Sequence, residues 1–277
     1  MNAGHGAPAA KPITSLTNPI VKDIRGLALA KNRKESGLFL AEGMKLVADA
    51  VEAGWRIRTL VHAGAVTGQP MIRKLSSATH AAGGGVLSVS GPVLEKISRR
   101  DNPQMVLGVF EQRLTAVDTI RPAKGDVWIA LEEVRDPGNL GTIVRTADAV
   151  GAKGVILVGN TVDPFSVEAV RATMGSIFAV PLTRASFADF AVLARRWPGA
   201  VVGTHLAGKA DYRKADYRTP VLLVMGAEQA GLTADAADLC NTLVKIPMVG
   251  KADSLNLAVA TAVMLLEIRR GALTLDG

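Results

Sequence analysis

The sequence predicts an α/β protein of two modules, the C-terminal one built on a mostly parallel sheet with helices on both faces. Short apolar runs alternate with stretches of helical periodicity along the 277 residues, a pattern typical of such sheets. A short stretch containing Pro and Gly interrupts this alternation between two apolar strands. We therefore expect a disordered tail (1–13), a small α/β domain (14–113), a linker (114–125) and a larger α/β domain (126–277).

The small domain reads as helices alternating with short strands. Asn18-Pro19 begins a helix-like stretch, and Lys31–Glu35 is predicted to form a basic turn. A second helix is expected from Glu42-Gly43 to about Ala53. The apolar runs predict strands at 38–41, 57–62, 85–89 and 106–110.

The larger domain alternates more regularly. Its apolar runs predict strands at 128–131, 154–158, 200–204, 221–225 and 243–247. Its helical periods predict helices at 139–150, 166–174, 187–196, 234–238 and 254–270. The last of these is apolar nearly all round, so we expect the sheet and a second subunit to cover it.

The charge of the chain is concentrated in its N-terminal part. The chain has 32 Lys and Arg against 25 Asp and Glu, a net charge of +7. Residues 1–113 hold 15 basic and 8 acidic side chains, whereas residues 114–277 hold 17 of each. This asymmetry favours an anion-binding N-terminal module, and aromatic residues, at 4%, are too few for recognition by rows of stacked bases. The candidate phosphate contacts are Lys31, Arg33, Lys34, Arg99 and Arg100.

Other features of the composition concern the compartment. The single cysteine, Cys240, fits a reducing compartment, so we expect a cytoplasmic protein. The first ten residues have no run of bulky apolar side chains, which is typical of a tail and not of a signal peptide. The longest strongly apolar stretch, Leu255–Leu266, is too short to span a bilayer, so no membrane association is expected.

Polar residues follow three of the predicted strands at the edge where parallel sheets bind ligands. Asn139 and Arg145 share one broad helix face, Glu228 lies between two glycines, and Ser254 and Asn256 precede the last helix. Each feature alone also fits a helix cap, a solvated side chain or an ordinary Gly-rich strand end.

Other catalytic motifs are missing from the sequence. Gly203–Lys209 begins like a phosphate-binding loop, but Ala210 stands where a magnesium-binding Ser or Thr is required. No dinucleotide fingerprint, zinc-protease motif or nucleophile elbow occurs. The four histidines, His5, His62, His80 and His205, are scattered, so no metal site is predicted.

Three blocks in this order resemble the signature motifs of the SpoU/TrmH branch of the SPOUT methyltransferases. They are Asp136–Gly151, Leu223–Gly231, and Lys245–Met248 with Ser254–Ala260. The resemblance implies methyl transfer from S-adenosylmethionine to a ribose 2′-hydroxyl of ribosomal or transfer RNA. The segments 18–22, 37–43 and 102–108 are similar to the L30e-like RNA-binding domain that precedes many of these enzymes.

The resemblance also implies a deep trefoil knot, a homodimer formed through knot-side helices, and no metal. The cofactor would contact Gly226, Ile246, Leu255, Thr204, Leu206 and Met248. Arg145 would have the central catalytic role, as a general base or, in our interpretation, by holding a phosphate and stabilising developing alkoxide charge. Asn139, Glu228 and Asn256 would hold the arginine and the ribose, and Ser254 would hydrogen-bond one of them.

Two alternatives stay open at this point. The first is a non-catalytic RNA-binding or ribosome-assembly protein on the same fold. The second is a nucleotide-dependent enzyme that uses Gly203–Lys209. Within the leading hypothesis, the two-domain layout favours ribosomal over transfer RNA by analogy with the family.

Overall fold

The computed structural model describes residues 12–228 and 230–275. The described chain forms two compact units: the first runs to Gln112 and includes Phe165–Val167, and the second holds the rest from Arg113 onward. Of the predicted tail, residues 1–11 lie outside the described residues. The predicted end of the tail at residue 13 is wrong, because Ile13 pairs with Val89 and its N–H donates to the Ser88 carbonyl over 2.8 Å.

The first unit is a four-stranded sheet with five helices among its described residues. In chain order the elements are α1 (Pro19–Gly26), α2 (Ala30–Ser36), β1 (Leu38–Glu42), α3 (Met44–Glu52), β2 (Ile57–Ala63), α4 (Pro70–Ala81), β3 (Gly85–Val89), α5 (Gly91–Ser98) and β4 (Val106–Glu111). The strand order is β1-β4-β2-β3, with β4 antiparallel to both of its neighbours and β2 parallel to β3. Fully buried Phe39, Leu60 and Phe110 contribute to its core.

One predicted element of this unit is wrong. The segment Lys31–Glu35 is not a turn but the middle of helix α2. The helix ends at Gly37, whose φ of +67° is a left-handed conformation that glycine adopts without strain. Because α2 turns one side toward the core, Arg33 is buried while Lys34 is exposed.

The second unit continues the alternation of strand and helix. Its elements are β5 (Val127–Glu132), α6 (Pro137–Ala149), β6 (Gly154–Val158), α7 (Val167–Ala172), β7 (Leu182–Ala185), α8 (Phe187–Arg195), β8 (Val201–Thr204), β9 (Ala210–Asp211), β10 (Val221–Met225), α9 (Ala234–Asp238), β11 (Thr242–Lys245) and α10 (Leu257–Arg269). The strand order is β7-β6-β5-β10-β8-β11-β9, and every neighbouring pair is parallel. Strands β5, β6 and β10 are buried along their whole length, which confirms the predicted α/β class.

The structure corrects the predicted start of the last helix and the alternative interpretation of Gly203–Lys209 as a phosphate-binding loop. The last helix begins at Leu257 and not at Ser254, because the Asn256 side chain caps it by accepting the N–H groups of Ala258 and Val259. No helix follows Gly203–Lys209; the short strand β9 begins directly at Ala210. A phosphate-binding loop requires a helix at that point, so this segment is not one.

Helices α6 and α10 pack against each other on the sheet. The Arg269 guanidinium donates to the carbonyls of Val150 and Gly125, over 3.0 and 3.1 Å, and so fixes the C-terminal end of α10. At the other end, the side chains of Asn139 and Asn256 meet. Within residues 12–228 and 230–275, no helix has the length and apolar character needed to cross a membrane.

Candidate active site

Three polar side chains from distant parts of the sequence are connected by hydrogen bonds. They are Glu228, Asn139 and Asn256, here called the amide network. Strands β5 and β10 are parallel neighbours, so the segments that follow them meet at one sheet edge. The Asn139 Nδ2 donates to Glu228 Oε1 over 3.2 Å, and the Asn256 Nδ2 donates to Asn139 Oδ1 over 2.9 Å. The network therefore fixes the direction of both amides.

Helix caps hold the network in place. The Asp136 side chain caps α6 by accepting the Asn139 N–H over 2.6 Å, while its own N–H donates to Glu228 over 3.3 Å. Asn256 caps α10 with its Oδ1, which leaves its Nδ2 for Asn139. Asn256 is thus a helix cap, as the simpler reading of the sequence expects, whereas Asn139 lies in the first turn of α6, where Asp136 is the cap. The side chains of both residues also connect separate elements.

Arg145 and Ser254 lie outside the amide network. Arg145 is exposed on α6, and its guanidinium forms no hydrogen bond or ion pair with any described residue. Its charge is therefore available to a ligand. The exposed Ser254 hydroxyl lies 3.2 Å from Asp253 Oδ1 and lines the cavity described next.

A cavity of about 280 Å³ lies at the same sheet edge. It is lined by the segments after β8, β10 and β11 and by the start of α10. All of the residues predicted to contact the cofactor line it: Thr204, Leu206, Gly226, Ile246, Leu255 and Met248. Glu228 also lines it, so the cavity and the amide network share a wall.

The structure adds lining residues that the sequence analysis did not single out. Among them are Met225, Leu257 and His205, and the Nδ1 of His205 accepts the Ala207 N–H over 3.1 Å. With Nδ1 occupied by that bond, Nε2 is the ring nitrogen left for other partners. The signal for His205 in the sequence is its place directly after β8.

The wall of the cavity includes a tightly closed loop after β10. Ala227 and Gly231 exchange two backbone hydrogen bonds, of 3.1 and 3.0 Å. A Cβ built on Gly226 would lie 2.0 Å from the Gly231 carbonyl carbon. The glycine at 226 is therefore required by the packing of the loop on itself. Apolar side chains and close backbone of this kind suit a small ligand with an apolar body and a few polar groups, and the residues fit S-adenosylmethionine.

The predicted phosphate contacts in the first unit divide into two groups. Lys31, Lys34, Arg99 and Arg100 are exposed. Arg33 is only 3% exposed and donates through Nη1 to the Leu27 carbonyl over 2.7 Å, so its assignment to RNA binding is corrected to a structural role.

The displaced pKa values belong to groups that do not line the cavity. Hydrogen bonds from Arg213 lower the pKa of Asp211 to about 2. Burial, with a contribution from the charge of Glu132, raises the pKa of the Cys240 thiol to about 12. Burial also raises the pKa of Tyr217. Within the described ranges, no group of three or more His, Cys, Asp or Glu side chains is arranged to hold a metal ion.

Comparison with known proteins gives the site its context. Residues 126–266 match the SpoU rRNA Methylase family, and residues 18–108 match an MRM3-like substrate binding domain. A 23S rRNA (uridine(2479)-2'-O)-methyltransferase of Streptomyces viridochromogenes is 32% identical over 274 residues, which cover 96% of this chain and 94% of that protein.

Solved structures agree with these matches. An AdoMet-bound rRNA methyltransferase from Sinorhizobium meliloti is 55% identical with a TM-score of 0.90, over 95% of this chain and 99% of that one. The SpoU methyltransferase AviRb from Streptomyces viridochromogenes, in complex with AdoMet, is 30% identical with a TM-score of 0.83, over 92% and 98%.

The fold and the cavity thus define a methyltransferase of the SPOUT class, with a parallel α/β sheet and a trefoil knot. The chain belongs to the SpoU rRNA methylase family, and its cofactor is S-adenosylmethionine.

Proposed function

We propose that the protein methylates a ribose 2′-hydroxyl of ribosomal RNA. The observation that carries this proposal is the wall shared by the apolar cavity and the amide network, through Glu228. The relatives named as 23S rRNA 2'-O-methyltransferases support ribosomal RNA as the substrate class. S-adenosylmethionine supplies an electrophilic methyl group when bound.

The amide network suits the positioning of a ribose. A 2′-hydroxyl is a weak nucleophile, so the site has to orient it and favour the loss of its proton. Glu228 accepts hydrogen bonds at the cavity wall, and Asn139 links it rigidly to Asn256 at the start of α10. We assign to these three residues the orientation of the ribose, with Ser254 as an additional hydrogen-bonding group on the cavity wall.

Arg145 provides the positive charge for the reaction. The guanidinium group is too weak an acid to serve as a general base in proteins, so we assign Arg145 an electrostatic role. It is exposed and forms no bond with the described part of the chain, so it can bind the phosphate next to the target ribose. A cation held there also stabilises the alkoxide charge that develops as the proton leaves.

Arg145→Ala tests the proposal. We expect methyl transfer to ribosomal RNA to fall by about 100-fold or more, with S-adenosylmethionine binding within twofold of wild type. Arg196→Ala, which removes an exposed arginine after α8, is the matched control. Wild-type activity in the Arg145 variant would remove that assignment. Cofactor binding by the wild type without transfer to any cellular RNA would favour the non-catalytic RNA-binding alternative.

We assign RNA capture to the basic first unit. Lys31 and Lys34 lie exposed on α2, and this part of the chain carries the whole excess of positive charge. Lys31→Glu with Lys34→Glu should weaken RNA binding and flatten its dependence on salt, because fewer counterions are released. Arg195→Glu with Arg196→Glu changes the net charge equally and should leave the salt slope unchanged. Equal slopes for both double variants would contradict this role.

We also propose a homodimer formed through α10. Val259 and Leu266 are 50% and 53% exposed, and with half-buried Ala262 and Val263 they form an apolar stripe along one helix face. Leu266→Glu should convert the dimer to a monomer in light scattering. Val192→Glu, at an equally exposed position on α8, should leave the mass unchanged. A wild-type monomer would refute the proposal.

We place the protein in the cytoplasm. A ribosomal RNA substrate is consistent with that location, and a single thiol fits a reducing compartment. Fractionation of cells that express the tagged protein checks this, and recovery outside the cytoplasm would contradict it.

A further inference from the structure

We propose that the buried Glu132 carboxylate and Thr233 form a clasp that positions the cofactor-binding wall of the cavity. The inference rests on the proposed function and deepens it, because it assigns a positioning role to two residues that contact neither the cavity nor the amide network.

Glu132 is a buried carboxylate whose partner lies far away in the sequence. It is the last residue of β5 and is 4% exposed. Its Oε2 accepts the Thr233 N–H over 2.9 Å, and its Oε1 accepts the Thr233 hydroxyl over 2.6 Å. No cation among the described residues pairs with it, so Thr233 provides the hydrogen bonds to both of its oxygens. A buried carboxylate that loses such partners is strongly destabilised.

Thr233 stands at the base of the loop that walls the cavity. This loop follows β10 and contributes Gly226, Ala227, Glu228 and Gly231 to the lining. The Thr233 hydroxyl, besides donating to Glu132, accepts the Ala236 N–H over 3.2 Å and so begins α9. Thr233 therefore fixes the point at which the loop returns to regular structure.

The clasp is one of two sets of hydrogen bonds that connect the end of β5 and the segment after it with the loop after β10. At the base of the loop, Glu132 holds Thr233. At its tip, Glu228 accepts hydrogen bonds from the Asp136 N–H and the Asn139 side chain. The end of β5 thus provides one carboxylate, Glu132, and the segment after β5 donates hydrogen bonds to the other, Glu228. Since the hydrogen bonds at the tip are longer, at 3.3 and 3.2 Å against 2.9 and 2.6 Å in the clasp, we assign the position of the loop mainly to the clasp.

Loss of the clasp should weaken cofactor binding and leave the recognition of RNA unchanged. The loop supplies backbone to the cavity, so its displacement changes the shape offered to S-adenosylmethionine. The basic side chains assigned to RNA capture lie in the first unit and stay as they are. If the clasp only stabilised the fold, its loss would lower the melting temperature and leave the affinity of the folded protein for S-adenosylmethionine unchanged.

The experiment compares Thr233→Val with Thr233→Ser in the full-length protein. Valine keeps the shape but removes the hydroxyl, whereas serine retains both hydrogen bonds. We expect Thr233→Val to weaken S-adenosylmethionine binding by about tenfold or more in calorimetry, with a matching rise in its KM and an unchanged KM for RNA. Thr233→Ser should restore both values to within about twofold. Thr119→Val, which removes an exposed hydroxyl bonded to the Ala116 carbonyl, is the matched control.

The outcomes separate the clasp from the proposed function. Titrations run well below the melting temperature of each variant, so that only folded protein is compared. Wild-type cofactor affinity in Thr233→Val, with or without a lower melting temperature, overturns the clasp. Failure of the serine variant to restore affinity also overturns it. A wild type that binds S-adenosylmethionine but methylates no ribosomal RNA refutes the proposed function alone, because the binding comparison still decides the clasp.

Discussion

Gly226→Ala tests the interpretation that the cavity wall is set by backbone packing. The new Cβ would lie 2.0 Å from the Gly231 carbonyl carbon, 2.1 Å from its oxygen and 2.1 Å from the Leu232 nitrogen. All three atoms are backbone, so no side chain can rotate away. The loop would have to move by about 1 Å to reach the 3.0 Å limit of real Cβ contacts. Overpacking of this kind costs about 1–3 kcal/mol.

The expected result has two parts. The melting temperature should fall by about 2–12 °C, since 1 kcal/mol corresponds to roughly 2–4 °C in a chain of this size. S-adenosylmethionine affinity should fall by about tenfold or more, measured by calorimetry below the melting transition. Gly250→Ala is the control, because a Cβ there meets nothing within 4 Å. A Gly226 variant with wild-type stability and affinity would refute the packing argument.

Two further predictions concern residues outside the cavity. The Cys240 thiol, with its pKa raised to about 12, should stay protonated at pH 8 and react slowly with iodoacetamide in the native protein. Its reactivity should rise only as the pH approaches that value, or on unfolding; fast native alkylation at pH 8 would contradict this. Arg33→Ala should lower stability by about 1–3 kcal/mol in urea unfolding, because it leaves the buried Leu27 carbonyl without its donor. The salt slope of RNA binding should stay at its wild-type value, and a flatter slope would return Arg33 to the RNA-binding surface.

The sequence predicts the centre of the large sheet better than its edges. Strands β5, β6 and β10 are continuous apolar runs because both of their faces are buried. Strand β7 contains the exposed Arg184 and β9 has two residues, so neither has a periodic signal. Both are edge strands of the sheet.

The same contrast holds for the site. Residues such as Gly226 and Asn256 lie within contiguous motifs and could be selected from the sequence. The pairing of Glu132 with Thr233 joins positions 101 residues apart. A carboxylate at the end of a strand and a threonine before a helix are individually ordinary, and only their meeting in space gives them a role. The RNA-binding role predicted for Arg33 is wrong for the opposite reason. Its sequence motif is basic, but helix α2 turns that one side chain inward.

Asn139→Asp tests whether the amide network works through its directed hydrogen bonds. The Asn139 Nδ2 donates to Glu228 Oε1 over 3.2 Å, and a carboxylate in its place would face another carboxylate. Two like charges at this distance raise the pKa of the pair, so one proton is held between them at lower pH. The protonated carboxyl can donate to Glu228 and still accept from Asn256, which reproduces the pattern of the wild type. Activity of this variant relative to wild type should therefore rise as the pH falls toward the raised pKa and decrease above it. Asn139→Ala cannot donate at any pH, so its relative activity should be low and flat. A pH–rate profile for Asn139→Asp parallel to that of Asn139→Ala would show that the hydrogen bond from the Asn139 side chain to Glu228 does not contribute to activity.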